Sequence, residues 1–291
     1  MIQFDRIYIE ISNVCNLQCS FCPEVLRPKK LMTPEQFRKI LIKIKPYTKA
    51  VTLHVMGEPL AHPKFLEFLD LLEEFTIPLI LTSNGQLLHR HQDRILSSTI
   101  IKQINFSIHS FFDNFPDREI TDYLKAITDF SIKFTEANQK SFINYRLWNL
   151  SSPNSLLESR NQKIYTELSD LFQNLELPNS IDIRERKSYR LDRHIKLNFD
   201  TQFEWPSLNS KSPNHDGFCY GLKNQLAILT EGTVVPCCLD KEAVINLGSI
   251  FETDLIDILN QERSKNILKG FQNHKAVEAL CQKCQFKVRF D

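Results

Sequence analysis

The stretch Ser12-Asn13-Val14-Cys15-Asn16-Leu17-Gln18-Cys19-Ser20-Phe21-Cys22 decides how this chain is read. Its cysteines are spaced C-x3-C-x2-C. Three thiolates on one short loop can each ligate one iron of a [4Fe–4S] cube. A cube has four irons, so one is left without a protein ligand. An open position on a metal is where small-molecule chemistry takes place. A structural zinc site fits less well, because zinc commonly takes four ligands, often in paired C-x2-C spacing. Three buried core thiols are the other plain alternative. The loop follows an alternating run, residues 5–11 (DRIYIEI), which reads as a first strand.

Outward from that loop, strand-like and helix-like segments alternate. Further strands are expected at 50–55, 78–82, 103–108, 141–148 and 181–186. Helices are expected at about 34–46, 64–75, 87–96, 119–137 and 155–175. The first helix has a start signal: Thr33 can cap, Pro34 suits the first helical position, and Gln36 completes a capping box. Such alternation predicts an α/β fold with a parallel sheet, either open and doubly wound or closed towards a barrel. In a β/α barrel the loop after a strand lies at the C-terminal face, where active sites sit. The alternation is expected to stop near residue 186. Residues 187–214 read as an irregular polar connection with room for one hairpin. The basic segment 184–196 is either a solvated face or a hold for an acidic partner. Residues 225–237 (QLAILTEGTVVPC) read as a hairpin around Glu231-Gly232, and a helix is expected at 253–268. The expected division is a β/α core over 1–186, a connection over 187–214, and a small cysteine-bearing domain over 215–291.

Composition narrows the classes. The chain has 291 residues, 42% of them hydrophobic, and a net charge of +1. No global field draws it to nucleic acid or to a membrane surface, and neither is expected as a partner. No stretch approaches the roughly 20 apolar residues that span a bilayer. The first residues carry Asp5 and Glu10 and do not read as a signal peptide, so a cytoplasmic protein is expected. The eight cysteines fall into two groups, at 15, 19 and 22 and at 219, 237, 238, 281 and 284. Two tight groups in a long chain indicate metal sites rather than a disulfide scaffold.

The cysteine loop after strand one, with Phe21 directly before the last cysteine, resembles the signature of the radical S-adenosylmethionine (SAM) superfamily. The resemblance implies a partial (β/α)6 TIM-like barrel, which chooses between the two sheet forms. It implies that Cys15, Cys19 and Cys22 hold a [4Fe–4S] cluster whose fourth iron is chelated by SAM. It implies reductive cleavage of SAM to a 5′-deoxyadenosyl radical that abstracts hydrogen from a substrate. A flavodoxin- or ferredoxin-type electron donor is implied with it. Met56-Gly57-Glu58-Pro59 resembles the superfamily's glycine-glutamate-proline motif, with Met56 in place of the commoner first glycine. Thr82-Ser83-Asn84-Gly85 resembles its threonine-asparagine-glycine turn. Ser107 stands where related enzymes place a serine near SAM, whereas His109 departs from the aspartate that follows there. Phe21, Gly57, Glu58, Asn84 and Ser107 are therefore the implied SAM contacts.

The second group reads C-x12-G-x4-C from Cys219 through Gly232 to Cys237, then Cys281-Gln282-Lys283-Cys284. Four thiolates ligate a cube fully and leave no vacancy. A zinc ribbon with the same four ligands is the alternative. The arrangement resembles the SPASM/twitch extension of radical SAM enzymes, in the shorter form with one auxiliary [4Fe–4S] cluster. Its spacing is similar to that of a twitch dehydrogenase acting on an aminocyclitol alcohol. Cys238 is left over, as a hydrogen-atom donor of the kind radical epimerases use or as a small buried apolar residue. Arg146 and Asn149, at the end of the fifth expected strand, are candidate contacts to a polar or anionic substrate or simply solvated, and Arg184 and Arg186 share that status. The first functional expectation is oxidation of a small polar metabolite. The second is modification of a peptide, protein or RNA, disfavoured because the chain begins directly at strand one without an added leader-binding domain. The third is a non-enzymatic zinc or electron-transfer protein.

Overall fold

The capping box expected at residue 33 is present. Thr33 Oγ1 accepts from Gln36 N at 3.2 Å, and Gln36 Oε1 accepts from Thr33 N at 2.9 Å. The helix α1 (Pro34–Ile44) follows, and Phe37, Ile40, Leu41 and Ile44 form its buried stripe. The computed structural model describes residues 2–150, 155–173, 175, 177, 181–202, 204–210 and 214–290.

In chain order the strands are β1 (Arg6–Ile9), β2 (Val51–Thr52), β3 (Leu79–Ser83), β4 (Ile101–Phe106) and β5 (Phe142–Leu147). They continue with β6 (Ser188–Asp192), β7 (Ile195–Phe199), β8 (Gln225–Ile228) and β9 (Val234–Val235). After α1 the helices are α2 (Phe65–Glu74), α3 (Gln92–Leu96), α4 (Ser110–Asn114), α5 (Thr121–Ala137) and α6 (Ser155–Leu171). The last three are α7 (Leu255–Asn260), α8 (Glu262–Gln272) and α9 (Ala279–Gln282).

The chain packs as two compact units. The first comprises 1–16, 23–79 and 203–291. Here β1 pairs in parallel with β2 on one side and with β8 on the other, Ile7 facing Val51 and Leu226. β9 returns antiparallel to β8 through the turn at Glu231-Gly232. Ile7 and Ile9 are fully buried. The second unit comprises 17–22 and 80–202. In it β4 and β5 are parallel, as are β5 and β7, while β6 turns back antiparallel to β7. Its core gathers Phe106, Phe130, Phe134 and Tyr145, whose hydroxyl bonds Ser131 Oγ at 2.9 Å.

Several expectations are corrected. Residues 181–186 form a turn, not a strand. Asp182 Oδ1 accepts from Arg184 N at 2.8 Å, and this local bond competes with pairing. The strand parallel to β5 is instead β7, inside the segment expected to be irregular. The expected helix at 87–96 is a 3-10 turn over Leu88–Arg90 followed by the short α3. The expected helix at 253–268 breaks at Gln261, whose backbone is extended at φ −61° and ψ 151°. The strand expected at 50–55 shrinks to Val51–Thr52. Among the described residues no helix is long and apolar enough to cross a membrane.

Candidate cluster and cofactor site

Within the second unit, Cys19 and Cys22 sit on a tight turn in which Cys22 N donates to Cys19 O at 3.0 Å. The turn is clamped by the end of α4. Asn114 Oδ1 accepts from Gln18 N at 2.8 Å, and Asp113 Oδ1 accepts from Ser20 Oγ at 2.8 Å. Asn114 Nδ2 donates to Cys19 Sγ at 3.1 Å. The Cys19 thiol is held below its ordinary range, first by a hydrogen bond from Cys22 and then by that from Asn114, against the opposing effect of burial. The thiolate is the form that ligates metal. Asn114→Leu removes one of its donors, an interaction worth about 1 kcal/mol. Alkylation of the metal-free protein should then reach half-rate at Cys19 roughly 0.7 pH units higher.

In the first unit, Cys15 is exposed. The backbone just before it is packed against the Met56-Gly57-Glu58-Pro59 turn. Glu58 N donates to Val14 O at 3.0 Å. Gly57 has φ +77°, and a Cβ there would lie 2.3 Å from Ser12 O and 2.8 Å from Val14 O. Only glycine allows this approach. The Glu58 carboxylate is buried and caps the following turn, accepting from Leu60 N at 3.0 Å. Behind the motif, Glu10 is 0% exposed and accepts from Arg27 Nη2 at 2.9 and 2.7 Å, Met56 N at 3.2 Å and Thr230 N at 3.3 Å. Arg27 also donates to Glu231 Oε2 at 2.9 Å and Lys241 O at 2.6 Å.

Back in the second unit, Asn84 Oδ1 accepts from Gln86 N at 3.0 Å, and Asn84 O accepts from the Tyr123 hydroxyl at 2.8 Å. Ser107 N donates to Ser83 O at 2.9 Å. The Phe21 ring lies 4.7 Å, centroid to centroid, from that of His109. His109 Nδ1 is 2.9 Å from Arg146 O. A carbonyl oxygen only accepts, so Nδ1 carries the proton and Nε2 keeps a lone pair. Burial pushes the imidazole down to about 4, so it is neutral near pH 7. His109, Phe21, Asn149, Arg160, Asn161 and Gln202 line a cavity of about 230 Å³. Asn149 and Asn161 bond side chain to side chain at 3.0 and 3.3 Å. The Arg146 guanidinium stacks 4.4 Å over the Trp148 ring, so its side chain and Asn149 are occupied differently. Arg184 pairs with Asp182 at 2.6 Å in solvent, and Arg186 lies 4.4 Å over Tyr189.

The C-terminal cysteines all lie in the first unit, where among the described residues no three metal-capable side chains are close enough to hold an ion as they stand. Burial raises the thiols of Cys219, Cys237, Cys281 and Cys284. Cys237 is raised further by Cys238, Cys219 and Cys281, and Cys281 by Cys219 and Cys284. Backbone amides donate to them: Gly221 N to Cys219 at 3.4 Å, and Phe286 and Lys287 N to Cys284. Cys238 acts on the charge of Cys237 too, and it also has apolar surroundings. It packs on the apolar cluster of Val55, Met56, Ala227, Leu229 and Val235, and the Tyr8 hydroxyl bonds its sulfur. Burial pushes this thiol up to about 11.

Comparison with known proteins accounts for both cysteine groups. The sequence pattern of the radical SAM superfamily matches residues 9–145, and that of an iron–sulfur cluster-binding domain called SPASM matches residues 219–285. The chain carries a radical SAM domain and a SPASM domain. Among solved structures, this radical SAM enzyme is similar to BtrN in complex with AdoMet and 2-DOIA, at 16% identity over 98% of this chain and 94% of that one, with TM-score 0.61. It is similar to Streptococcus suis SuiB bound to its precursor peptide SuiA, at 17% identity over 98% and 72% of the chains, TM-score 0.60. It is also similar to anSMEcpe with bound AdoMet, at 14% identity over 97% and 86%, TM-score 0.60. No curated protein sequence matches. The fold is the partial barrel of the superfamily, with its cluster-binding domain at the C-terminus.

The donor sets fit the iron–sulfur clusters that radical SAM enzymes carry. Both groups offer sulfur alone, and buried thiols that resist ionisation need a cation to hold them as thiolates. Cys15, Cys19 and Cys22 remain the candidate donors for a SAM-binding cluster, and Cys219, Cys237, Cys281 and Cys284 the candidates for an auxiliary one. The clamp by Asp113 and Asn114 and the Glu10–Arg27 pair escaped the sequence reading. Only Glu10 left a trace there, as a lone charge inside the apolar run IYIEIS.

Proposed function

We propose that this radical SAM enzyme dehydrogenates a small polar metabolite. The observation that carries the reading is the match of residues 219–285 to an iron–sulfur cluster-binding domain, a span that holds Cys219, Cys237, Cys281 and Cys284; four such ligands would leave a cluster no vacancy. When bound, SAM with its cluster supplies hydrogen-atom abstraction, and the fully ligated cluster supplies an acceptor for one electron. The protein's own groups bind and orient the substrate. A cavity of about 230 Å³ suits a small molecule. His109 Nε2 accepts a hydrogen bond from a substrate hydroxyl or amine, and the paired amides of Asn149 and Asn161 supply both donors and acceptors. Arg160 offers a cation for an anionic substituent. Anaerobic incubation with reductant, SAM and a panel of polyols and amino alcohols should give one equivalent of 5′-deoxyadenosine per oxidised product. Regeneration of SAM at each turnover would overturn the dehydrogenase reading. Asn161→Leu, which leaves Asn149 without this partner, should raise KM about tenfold with SAM affinity unchanged.

A second reading, modification of a peptide, is favoured by a specific likeness: SuiB is similar to this chain and is bound to its precursor peptide. Under it Cys238 gains a role. A thiol pushed up to about 11 keeps its hydrogen near pH 7, as donation of a hydrogen atom requires. Deuterium incorporated from solvent into a peptide, and lost in Cys238→Ala, would decide for this reading. With either substrate we propose a flavodoxin- or ferredoxin-type donor and a cytoplasmic location, where cysteines meant for metal stay reduced.

A further inference from the structure

Beside the four C-terminal thiols lies a lysine that no sequence motif singles out. Lys287 is 2% exposed, on the 3-10 turn Gln285–Phe290 that directly follows Cys284. Its Nζ donates to Cys281 O at 3.2 Å and to Asn214 O. Its backbone N–H donates to the Cys284 sulfur as well. The stem is given room by Gly217, where an added Cβ would stand 3.3 Å from both Cδ and Cε of Lys287. Lysine is almost never fully buried without compensation. Two carbonyl oxygens solvate this ammonium, and in the cluster-loaded protein anionic sulfur ligands would balance its charge.

We propose that Lys287 sets the reduction potential of the auxiliary cluster, holding it high enough to accept an electron. The proposal rests on the four cysteines ligating a cluster, as argued above. Such a cluster becomes more negative by one unit when reduced, so a fixed cation beside it stabilises the reduced state more than the oxidised one. In the dry surroundings of a buried site this effect is weakly screened. Net charge near the cluster and hydrogen bonds to its sulfurs are the protein's means of placing a potential. Lys287 supplies both, through its side chain and its backbone amide. It is a positioning residue for electron flow and touches no substrate.

The test is an EPR-monitored redox titration of the full-length holoenzyme. The cluster whose signal changes when SAM is added serves as the internal control. Lys287→Gln keeps an amide donor for the two carbonyls but removes the charge. It should make electron acceptance about tenfold less favourable, a downward shift of about 59 mV for a one-electron couple, while the SAM-responsive cluster stays put. Lys287→Arg keeps the charge and should retain the wild-type potential. An unchanged potential in Lys287→Gln overturns the proposal, as does an equal shift in the Gln and Arg variants, which would make the effect one of packing. Loss of the auxiliary cluster from both variants also overturns it, because Lys287 would then be an assembly residue. Failure of the underlying reading looks different: the wild-type protein itself would hold no second cluster.

Discussion

Arg27→Met is expected to cost about 3–5 kcal/mol of folding stability, because it strands the Glu10 carboxylate in the interior without its cation. Glu10 is 0% exposed on its side chain and Arg27 only 10%. Burial already raises Glu10 above its ordinary 4.5 even with Arg27 in place. In the window between 4.5 and that raised value the folded protein binds more protons than the unfolded one, so stability falls as pH rises through it. Without the guanidinium the rise is larger and the window widens on its alkaline side. The deficit of Arg27→Met should therefore be full near pH 8 and shrink as pH falls towards 4.5. Urea midpoints measured anaerobically across that range check this. Adding Glu10→Gln, which still accepts from Met56 N and Thr230 N, should restore much of the loss. A deficit of constant size at every pH would mean that Arg27 contributes packing rather than charge.

Gly57→Ala is expected to weaken SAM binding by at least roughly tenfold, or about 1.4 kcal/mol. A residue with a side chain at φ +77° costs of order 1–3 kcal/mol in backbone strain alone. Its Cβ would also press on Ser12 O and Val14 O, the backbone immediately before Cys15. The strain is relieved only by moving the Met-Gly-Glu-Pro turn or the start of the cysteine loop, and both border the implied SAM site. Equilibrium dialysis of SAM against the anaerobic protein reads the effect, and iron retained at the C-terminal cysteines shows that the fold is intact. Wild-type affinity in this variant would remove the turn from the binding site.

Much of this was legible in the sequence because it is local. C-x3-C-x2-C is a spacing on one loop, the Thr33–Gln36 box is a contact over three residues, and the β8–β9 turn is written in Glu231-Gly232. The errors arose where two local readings compete. Residues 181–186 and 195–199 both alternate apolar with polar residues. Ile195, Leu197 and Phe199 bury one face and pair with β5, whereas Asp182 folds back on Arg184. The charges flanking β7 made it read as a solvated connection. What no local pattern holds is a partnership between distant residues. Arg27 finds Glu10 and Glu231, Asn114 finds Cys19, and Lys287 finds the carbonyls of Asn214 and Cys281 only once the backbone has brought them together. These are side chains of unremarkable type in unremarkable stretches.

The parallel pairing of β1 with β8 has a consequence for how the molecule is made. Four rungs join Arg6–Ile9 to Gln225–Ile228, segments more than 200 residues apart. Closing so long a loop is slow, and on the ribosome the N-terminal strand emerges long before its neighbour exists. Until residue 228 is synthesised, one edge of β1 stays bare and open to unwanted strand addition. Truncating the chain before β8 would make that nascent condition permanent. The barrel segment without its C-terminal part is therefore an aggregation hazard rather than a minimal enzyme, and insertion of the N-terminal metal cluster has to wait for, or protect, an unfinished sheet.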